Sequence, residues 1–194
     1  MTGSAFLLDL HRCVGCAACV LACRIENGRT DTAAWRRVLS LNLARRPGGP
    51  TYSLSVACHH CDEPACLKGC PARAFEKRHD GIVLHHQALC IGCRYCEMTC
   101  PFGTPQYDAA RGVISKCHLC AHRVDAGREP ACVVACPTGA LQFTPAEAGA
   151  PASARQRVPG FVDPAACGPN LQFRLPGGAR RAEWYRNLEE VMSR

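Results

Sequence analysis

Residues 90–107 of the 194-residue chain read CIGCRYCEMTCPFGTPQY. Four cysteines in this stretch follow the spacing C-x2-C-x2-C-x3-C, and Pro101 comes directly after the last of them. Three thiolates at this spacing can cap three corners of one cubane cluster, while the fourth, before proline, ligates the other cluster of a pair. The stretch therefore predicts a fold built around iron–sulfur clusters.

Three further cysteine runs accompany this one, so that sixteen of the 17 cysteines fall into four groups of four. The first run has the spacing of the third, whereas the second widens one gap to four residues and the fourth widens the same gap to eleven. The candidate iron ligands are Cys13, Cys16, Cys19 and Cys23 in run one, Cys58, Cys61, Cys66 and Cys70 in run two, Cys90, Cys93, Cys96 and Cys100 in run three, and Cys117, Cys120, Cys132 and Cys136 in run four.

Two other uses of cysteine fit the runs less well. Zinc sites with four thiolates need neither a third cysteine close by nor a closing C-x3-C. A disulfide framework conflicts with the odd cysteine total, and cysteines two residues apart are poorly placed for several mutual bridges. Four ligands per cubane give four 4Fe-4S clusters. Cys167, in DPAACGPNL, has no partner at ligand spacing and is expected to be a free thiol with a packing role.

Composition excludes several classes of protein. Hydrophobic residues make up 47% of the chain and no collagen or heptad period occurs, which argues against disordered and fibrous proteins. The net charge is +7, but the basic residues are scattered without interleaved aromatics, so we expect no nucleic-acid partner. No apolar run is long enough to cross a bilayer, and no export signal is expected in the chain itself.

Short strands are predicted beside the runs, over residues 4–10, 38–44, 52–56, 82–84, 112–115 and 140–143. The second and third of these should pair as a hairpin across the turn at 47–50, and the turn Asp80-Gly81 predicts another hairpin. From about residue 144 the composition shifts to Ala, Pro, Gly and Arg. We expect an extended tail over 144–194 that covers the core or a partner, with a helix over 179–192.

Runs two and three, with the linker between them, resemble the signature of bacterial two-cluster ferredoxins: Cys-Pro and Ala at 70–74, the Asp80-Gly81 turn, and CIGCRYCEMTCP at 90–101. Four runs can be paired in three ways. This resemblance implies that runs two and three share one ferredoxin-like unit, which leaves runs one and four for the other.

Because the fourth cysteine of each run crosses to the paired cluster, this pairing implies four ligand sets. They are site 1 (Cys13, Cys16, Cys19, Cys136), site 2 (Cys117, Cys120, Cys132, Cys23), site 3 (Cys58, Cys61, Cys66, Cys100) and site 4 (Cys90, Cys93, Cys96, Cys70). The expected fold is α+β, with two ferredoxin-like units related by an internal pseudo-repeat over residues 1–143, a small hairpin insertion and the C-terminal tail.

The order of the four runs, residues 90–107, KCHLC at 116–120 and CVVACPTGAL at 132–141 resemble the iron–sulfur electron-transfer subunit of the dimethyl sulfoxide reductase and polysulfide reductase family of molybdoenzymes. The resemblance covers residues 4–143. It implies a relay between a large molybdopterin catalytic subunit and an integral membrane quinone-binding subunit, with no catalytic site in this chain. In the family, site 1 faces the catalytic subunit, sites 2 and 3 follow, and site 4 faces the quinone.

Further expectations come from the same resemblance. Nitrate reductase relatives replace the second cysteine of run three and hold a 3Fe-4S cluster there, whereas Cys93 fills that position here and favours a full cubane. The chain would be a peripheral subunit at a membrane, cytoplasmic or exported together with a signal-bearing partner. The alternative is a soluble polyferredoxin-type carrier or the electron-input subunit of a hydrogenase-like complex. The tail and the long linker between runs one and two favour a docked subunit.

Several other residues near the runs are candidates for supporting roles. The histidines His59, His60, His118 and His122 are expected beside clusters or at the surface, because cysteines fill all sixteen ligand positions. Lys116, Arg94 and Arg123 either raise cluster potentials or are ordinary surface charges, and the sequence leaves both open. Tyr95 can pack on its cluster, with no chemistry assigned.

Overall fold

The computed structural model describes residues 3–29, 34–41, 52–144 and 167–174. In these ranges the strands are β1 (Ala5–Asp9), β2 (Arg37–Leu41), β3 (Tyr52–Val56), β4 (Phe75–Lys77), β5 (Val83–His85), β6 (Gln106–Asp108), β7 (Val113–Ser115), β8 (Leu141–Thr144) and β9 (Leu171–Arg174). The helices are α1 (Ala18–Glu26), α2 (Ala65–Lys68), α3 (Tyr95–Thr99), α4 (Ala121–Val124) and α5 (Ala131–Val134), with a 3-10 turn at Gln87–Leu89. This mixture of small strands and helices confirms the α+β class and is consistent with a ferredoxin-like fold.

The largest sheet in the described ranges has the order β8-β1-β9. Its central strand, β1, pairs antiparallel with β8 and parallel with β9. Phe6 and Leu8 of β1 are fully buried, and they form one apolar cluster with Leu54, Ile82 and Leu119 from other parts of the chain. Because β1 lies between two strands and under this cluster, its sequence AFLLD is apolar almost throughout instead of alternating.

Three two-stranded hairpins complete the strand pairing of the described residues. They join β2 to β3, β4 to β5 and β6 to β7, each antiparallel. The first two confirm the hairpins predicted from sequence, although the predicted turn at 47–50 lies outside the described residues. The predicted strands at 112–115 and 140–143 are also found, as β7 and β8. The partner of β7, β6, was not predicted, because its sequence Gln-Tyr-Asp lacks the run of apolar residues that marks β5 and β7.

Residues 171–174 of the predicted tail form a strand, β9, in the core sheet. Phe173 in β9 is only 4% exposed and belongs to the same apolar cluster as Phe6 and Leu8. The tail prediction missed this strand because Leu171–Arg174 has only four residues, of which Leu171 and Phe173 alone are apolar, and it lies within a stretch rich in Pro and Gly. The helix predicted over 179–192 lies outside the described residues.

The residues just before β9 bind the chain segment that carries run two. The backbone N–H groups of Asp62 and Glu63 donate to the carbonyls of Gly168 and Cys167, at 2.8 and 3.1 Å. The Asn170 side-chain amide donates to the His60 carbonyl at 2.8 Å. Gly168 has φ +57°, and a Cβ there would lie 3.2 Å from the Asp62 side chain, so the close approach requires glycine. This segment therefore fixes the position of the loop between Cys61 and α2.

The strands and helices around runs one and four pair in the same way as those around runs two and three. Strand β8, the first strand after run four, pairs antiparallel with β1, the last strand before run one. Strand β4, the first strand after run two, pairs antiparallel with β5, the last strand before run three. Correspondingly, α1 packs against α5, and α2 packs against α3. Run one is thus brought to run four, and run two to run three. None of the described helices is long and apolar enough to cross a membrane.

Replacing Phe173 with alanine tests whether β9 belongs to the core. Since Phe173 is buried, Phe173→Ala should lower the free energy of unfolding by about 3 kcal/mol or more. The control is Phe143→Ala on β8, the opposite edge strand, where the ring is only partly buried and a smaller loss is expected. Denaturant unfolding of the anaerobically purified protein, followed by circular dichroism, measures both. Equal losses would contradict a core position for β9.

Candidate iron–sulfur centres

The two compact runs wrap the chain around their cysteines in the same way. Gly15 and Ala17 flank Cys16 with φ of 71° and 60°, and Gly92 and Arg94 flank Cys93 with φ of 68° and 62°. Two left-handed residues around one cysteine reverse the chain direction twice within a few residues, which turns all three thiols of the run to one side. Helices α1 and α3 begin directly after Ala17 and Arg94.

The two wide runs use a short helix to present their third cysteine. The sequence Glu-Pro-Ala-Cys occurs at 63–66 and again at 129–132. In both places proline is the N-cap, and the cysteine lies in the first turn of the helix, α2 or α5. Proline suits the start of a helix because its fixed φ agrees with helical geometry and its missing N–H has no helical partner there. The wider gap of run four contains one further helix, α4.

Three cavities in the described part of the chain are each lined by four cysteines from two runs. The cavity at site 1 is lined by Cys13, Cys16, Cys19 and Cys136, among other residues. The lining of the cavity at site 3 includes Cys58, Cys61, Cys66 and Cys100. The lining of the cavity at site 4 includes Cys70, Cys90, Cys93 and Cys96. In each case the fourth cysteine of one run lies with the first three of another.

Two cysteines of site 2 lie in helices that pack against each other, Cys23 in α1 and Cys132 in α5. Burial, with the thiolates of Cys132 and Cys120, raises the pKa of Cys23 to about 11. Burial, with Cys23 and Cys58 as the nearest thiolates, raises the pKa of Cys117 well above its ordinary value. Cys23, Cys117 and Trp35 share a buried cluster, in which the Trp35 indole N–H donates to Ser115 Oγ at 3.2 Å. The four thiols of site 2 are therefore within electrostatic reach of one another.

The donor atoms of the sites suit an iron–sulfur cluster. Burial raises the pKa of Cys66 to about 12 and that of Cys96 to about 11, so these thiols need a nearby positive charge to ionise. Backbone N–H groups donate hydrogen bonds to several of the sulfurs. The Ala74 N–H donates to Cys70 Sγ at 3.3 Å, and the Leu141 N–H donates to Cys136 Sγ at 3.4 Å. Among the described residues, no three His, Cys, Asp or Glu side chains converge on one ion position. Instead, four thiols from two runs line each of the three cavities, and four is the number of cysteine ligands that a 4Fe-4S cluster takes.

The candidate histidines divide into buried and surface groups. Burial first, then the charges of Arg36 and Arg37, lower the pKa of His59 to about 3. His60 is also buried, and its Nδ1 accepts a hydrogen bond from the Val83 N–H at 2.9 Å. His118 is half-buried, whereas His122 is exposed and pairs with Glu26 at 2.7 Å. His59 and His60 are therefore neutral side chains beside the sites.

The three candidate cations also differ from one another. Lys116 is buried, and its Nζ donates to the carbonyls of Val83 and Cys117. Arg94 is exposed and pairs with Glu97 at 2.6 Å, and Arg123 pairs with Glu26 at 3.1 Å. Only Lys116 of the three is thus a buried charge between sites. Tyr95 is half-exposed beside Gly69, where a Cβ would lie 3.0 Å from its ring.

Two residues at the sites were not identified as such from the sequence. Arg36 is fully buried, and its side chain donates to Ser55 Oγ at 3.0 Å. Cys167 is buried, as the packing prediction requires, but it lines the cavity of site 3, where its thiol forms a hydrogen bond with Cys61. Neither carries a local signal, because Arg36 lies thirteen positions after Cys23 and Cys167 lies 106 positions after Cys61.

Comparison with known proteins gives similarity to one group. The family model of the 4Fe-4S dicluster domain matches residues 51–146. The probable anaerobic dimethyl sulfoxide reductase chain YnfG of Escherichia coli strain K12 is 42% identical over 154 residues, which cover 75% of each chain. A chain of the anaerobic dimethyl sulfoxide reductase of the same strain is 41% identical over 152 residues, 74% of each chain. A subunit of the tetrathionate reductase of Salmonella typhimurium is 39% identical over 139 residues, 70% of this chain and 55% of that protein.

Matched cysteine substitutions at site 3 separate a ligand from a neighbouring thiol. Cys61→Ser should remove or destabilise one cluster and lower the iron content by up to about four atoms per chain. Cys167→Ser should leave the iron content unchanged, since Cys167 is outside the four predicted ligand sets. Iron and acid-labile sulfide per chain, measured after anaerobic purification, test both. Loss of iron from Cys167→Ser with retention in Cys61→Ser would reverse the assignment.

Proposed function

The chain belongs to the iron–sulfur electron-transfer subunits of the dimethyl sulfoxide reductase type, whose relatives include tetrathionate and sulfite enzymes, and from this premise we propose that it is a four-cluster relay. Electrons would pass between a molybdopterin catalytic subunit and a quinone-reactive membrane subunit. The observation that carries the proposal is the gathering of four cysteines from two runs around each of three cavities.

We assign the four ligand sets predicted from sequence to four 4Fe-4S clusters. Cavities lined by the cysteines of sites 1, 3 and 4 support three of the sets. Electrostatic contact of Cys23 with Cys132 and Cys120 supports the set of site 2. The shared pairing scheme of β8 with β1 and of β4 with β5 supports two ferredoxin-like units related by an internal pseudo-repeat. When bound, the clusters supply one-electron chemistry, and the chain supplies ligands, hydrogen bonds and shielding from water.

The burial of the cysteines suggests which sites are the ends of the relay. Cys16 of site 1 and Cys93 of site 4 are exposed. All four cysteines of site 2 are buried, and at site 3 Cys58 and Cys66 are buried. A partner could therefore approach the first and last sites closely, while the two middle sites have no exposed cysteine. This arrangement agrees with the family order, in which site 1 faces the catalytic subunit and site 4 faces the quinone.

Exposed apolar side chains occur in the chain segments that carry these end sites. Val14, Leu21, Ile25 and Val134 lie in or next to runs one and four and are called the site-1 face, and Leu89, Ile91, Tyr95 and Met98 lie in or next to run three and are called the site-4 face. Met98 is 79% exposed and Ile91 is 68% exposed. Exposed apolar groups of this size mark surfaces that bind other proteins. We assign the site-1 face to the catalytic subunit and the site-4 face to the membrane subunit, which would hold this peripheral chain at the membrane. The reaction on substrate would take place in the catalytic partner.

Metal content and partner identity test the relay as a whole. We expect about sixteen iron and sixteen sulfide per chain in anaerobically purified complex, with EPR signals of interacting reduced cubanes. A large molybdopterin protein should co-purify. About eight iron or fewer, without a large partner, would favour the soluble carrier, and a colourless protein with stoichiometric zinc would overturn the iron–sulfur assignment.

Charge substitutions on the two faces test the partner assignment. Placing a carboxylate at an apolar interface costs at least about tenfold in affinity. Leu21→Glu should therefore release the catalytic subunit and retain the membrane subunit, whereas Met98→Glu should do the reverse. Co-purification with each partner is measured, and the two variants serve as controls for each other. Release of the same partner by both variants would contradict separate docking faces.

A further inference from the structure

Arg36 is a buried cation without a carboxylate partner among the described residues. Its side chain is 1% exposed, and it lies between Trp35 and the start of β2. Arginine is almost never fully buried unless it is paired, because an unpaired charge in the protein interior has a large desolvation cost. A structural reason for the charge of Arg36 must therefore lie in its surroundings.

The hydrogen bonds of Arg36 leave part of its guanidinium unused. Nη1 donates to Ser55 Oγ at 3.0 Å, and the guanidinium lies over the Phe6 ring at 4.5 Å from the ring centroid. Nε and Nη2 are buried and have no hydrogen-bond partner in the described part of the chain. A buried N–H donor without an acceptor is destabilising, because it has lost its hydrogen bonds to water. Such donors indicate a missing acceptor at this place.

Thiols from two sites are within electrostatic range of the same guanidinium. Burial acts against the charge of Arg36, but the thiolates of Cys132, Cys117, Cys19 and Cys23 together raise its pKa above the ordinary value. Cys19 belongs to site 1, and the other three belong to site 2. Arg36 is therefore at the junction between the first two sites of the relay.

A hydrogen-bonded path connects Arg36 to site 1. Ser55 Oγ accepts from Arg36 Nη1 and lies 3.3 Å from Cys19 Sγ. An iron-bound Cys19 has no proton to give, so the Ser55 hydroxyl is the donor and the Cys19 thiolate the acceptor. Hydrogen bonds to cluster sulfurs and nearby positive charge both raise a cluster's reduction potential.

Resting on the proposed four-cluster relay, we propose that Arg36 sets the reduction potentials of the first two clusters. Its charge stabilises the reduced clusters of sites 1 and 2, its Nε and Nη2 donors bind cluster sulfur, and Ser55 extends its effect to Cys19. Arg36 acts through these contacts as a positioning residue and does not ligate iron. An arginine serving only as packing between Phe6 and Ser55 would affect stability and leave the potentials unchanged.

Potentiometric EPR titration of the holoprotein in its complex distinguishes these roles. In Arg36→Met, the ratio of reduced to oxidised cluster at a fixed ambient potential should fall at least tenfold for two of the four clusters, which corresponds to about 59 mV for a one-electron couple. The other two clusters should keep their potentials. Arg36→Lys, which keeps the charge but loses the planar donors, should show a smaller fall. Ser55→Ala should lower the potential of one cluster only.

Arg128→Met is the matched control, because it removes the same charge from an exposed position where solvent screens it. Iron and sulfide are measured on every variant. Unchanged potentials in Arg36→Met with full iron content would overturn the role of Arg36 while leaving the relay intact, and so would an equal shift in all four clusters. If Arg36→Met loses iron, the role of Arg36 is tested with Arg36→Lys and Ser55→Ala instead. Unchanged cluster potentials in both of these variants would overturn that role. A wild-type protein without about sixteen iron would instead overturn the relay.

Discussion

Sulfur ligation is the constraint on which the rest of the structure depends. Helices α2 to α5 have only four or five residues each, which is far below the length at which a helix is stable alone in water. The strands outside the central sheet are mostly three-residue segments. Elements this short are held by what they surround, and each of these helices lies within or next to a cysteine run. The chain is therefore organised around its sites, and one apolar cluster centred on β1 serves as the conventional core.

The pairing of runs determines how the chain is arranged around the sites. Because the fourth cysteine of a run lies with the first three of another, neither run of a pair can complete a site alone. Two such pairs leave one site of each near the surface and one inside. Cys16 and Cys93 are exposed, whereas no cysteine of sites 2 and 3 is exposed. The segment before β9 adds a further restraint by hydrogen bonding to the loop of run two.

The sequence predicted the features whose information is local. Cysteine spacing identified the four runs, and the Asp80-Gly81 turn identified the hairpin of β4 and β5. It could not identify contacts formed between distant segments of low periodicity. The four residues of β9 pair with β1 across more than 160 positions, and Cys167 meets Cys61 across 106. Arg36 looked like one of many scattered basic residues, since only the three-dimensional pairing of runs one and four surrounds it with thiols.

Several cations lie close to the cysteine sites, where they would interact with the negative charge of bound clusters. Sixteen cysteine thiolates on four cluster cores would carry a total of about −8, which is close in size to the formal charge of +7 on the chain. Arg36 lies at the junction of sites 1 and 2, and the buried Lys116 donates to the carbonyl of Cys117 of site 2. Lys77 donates to the carbonyl of Cys61 of site 3 at 2.8 Å. In the proposed relay, these cations would offset part of the negative charge of the clusters.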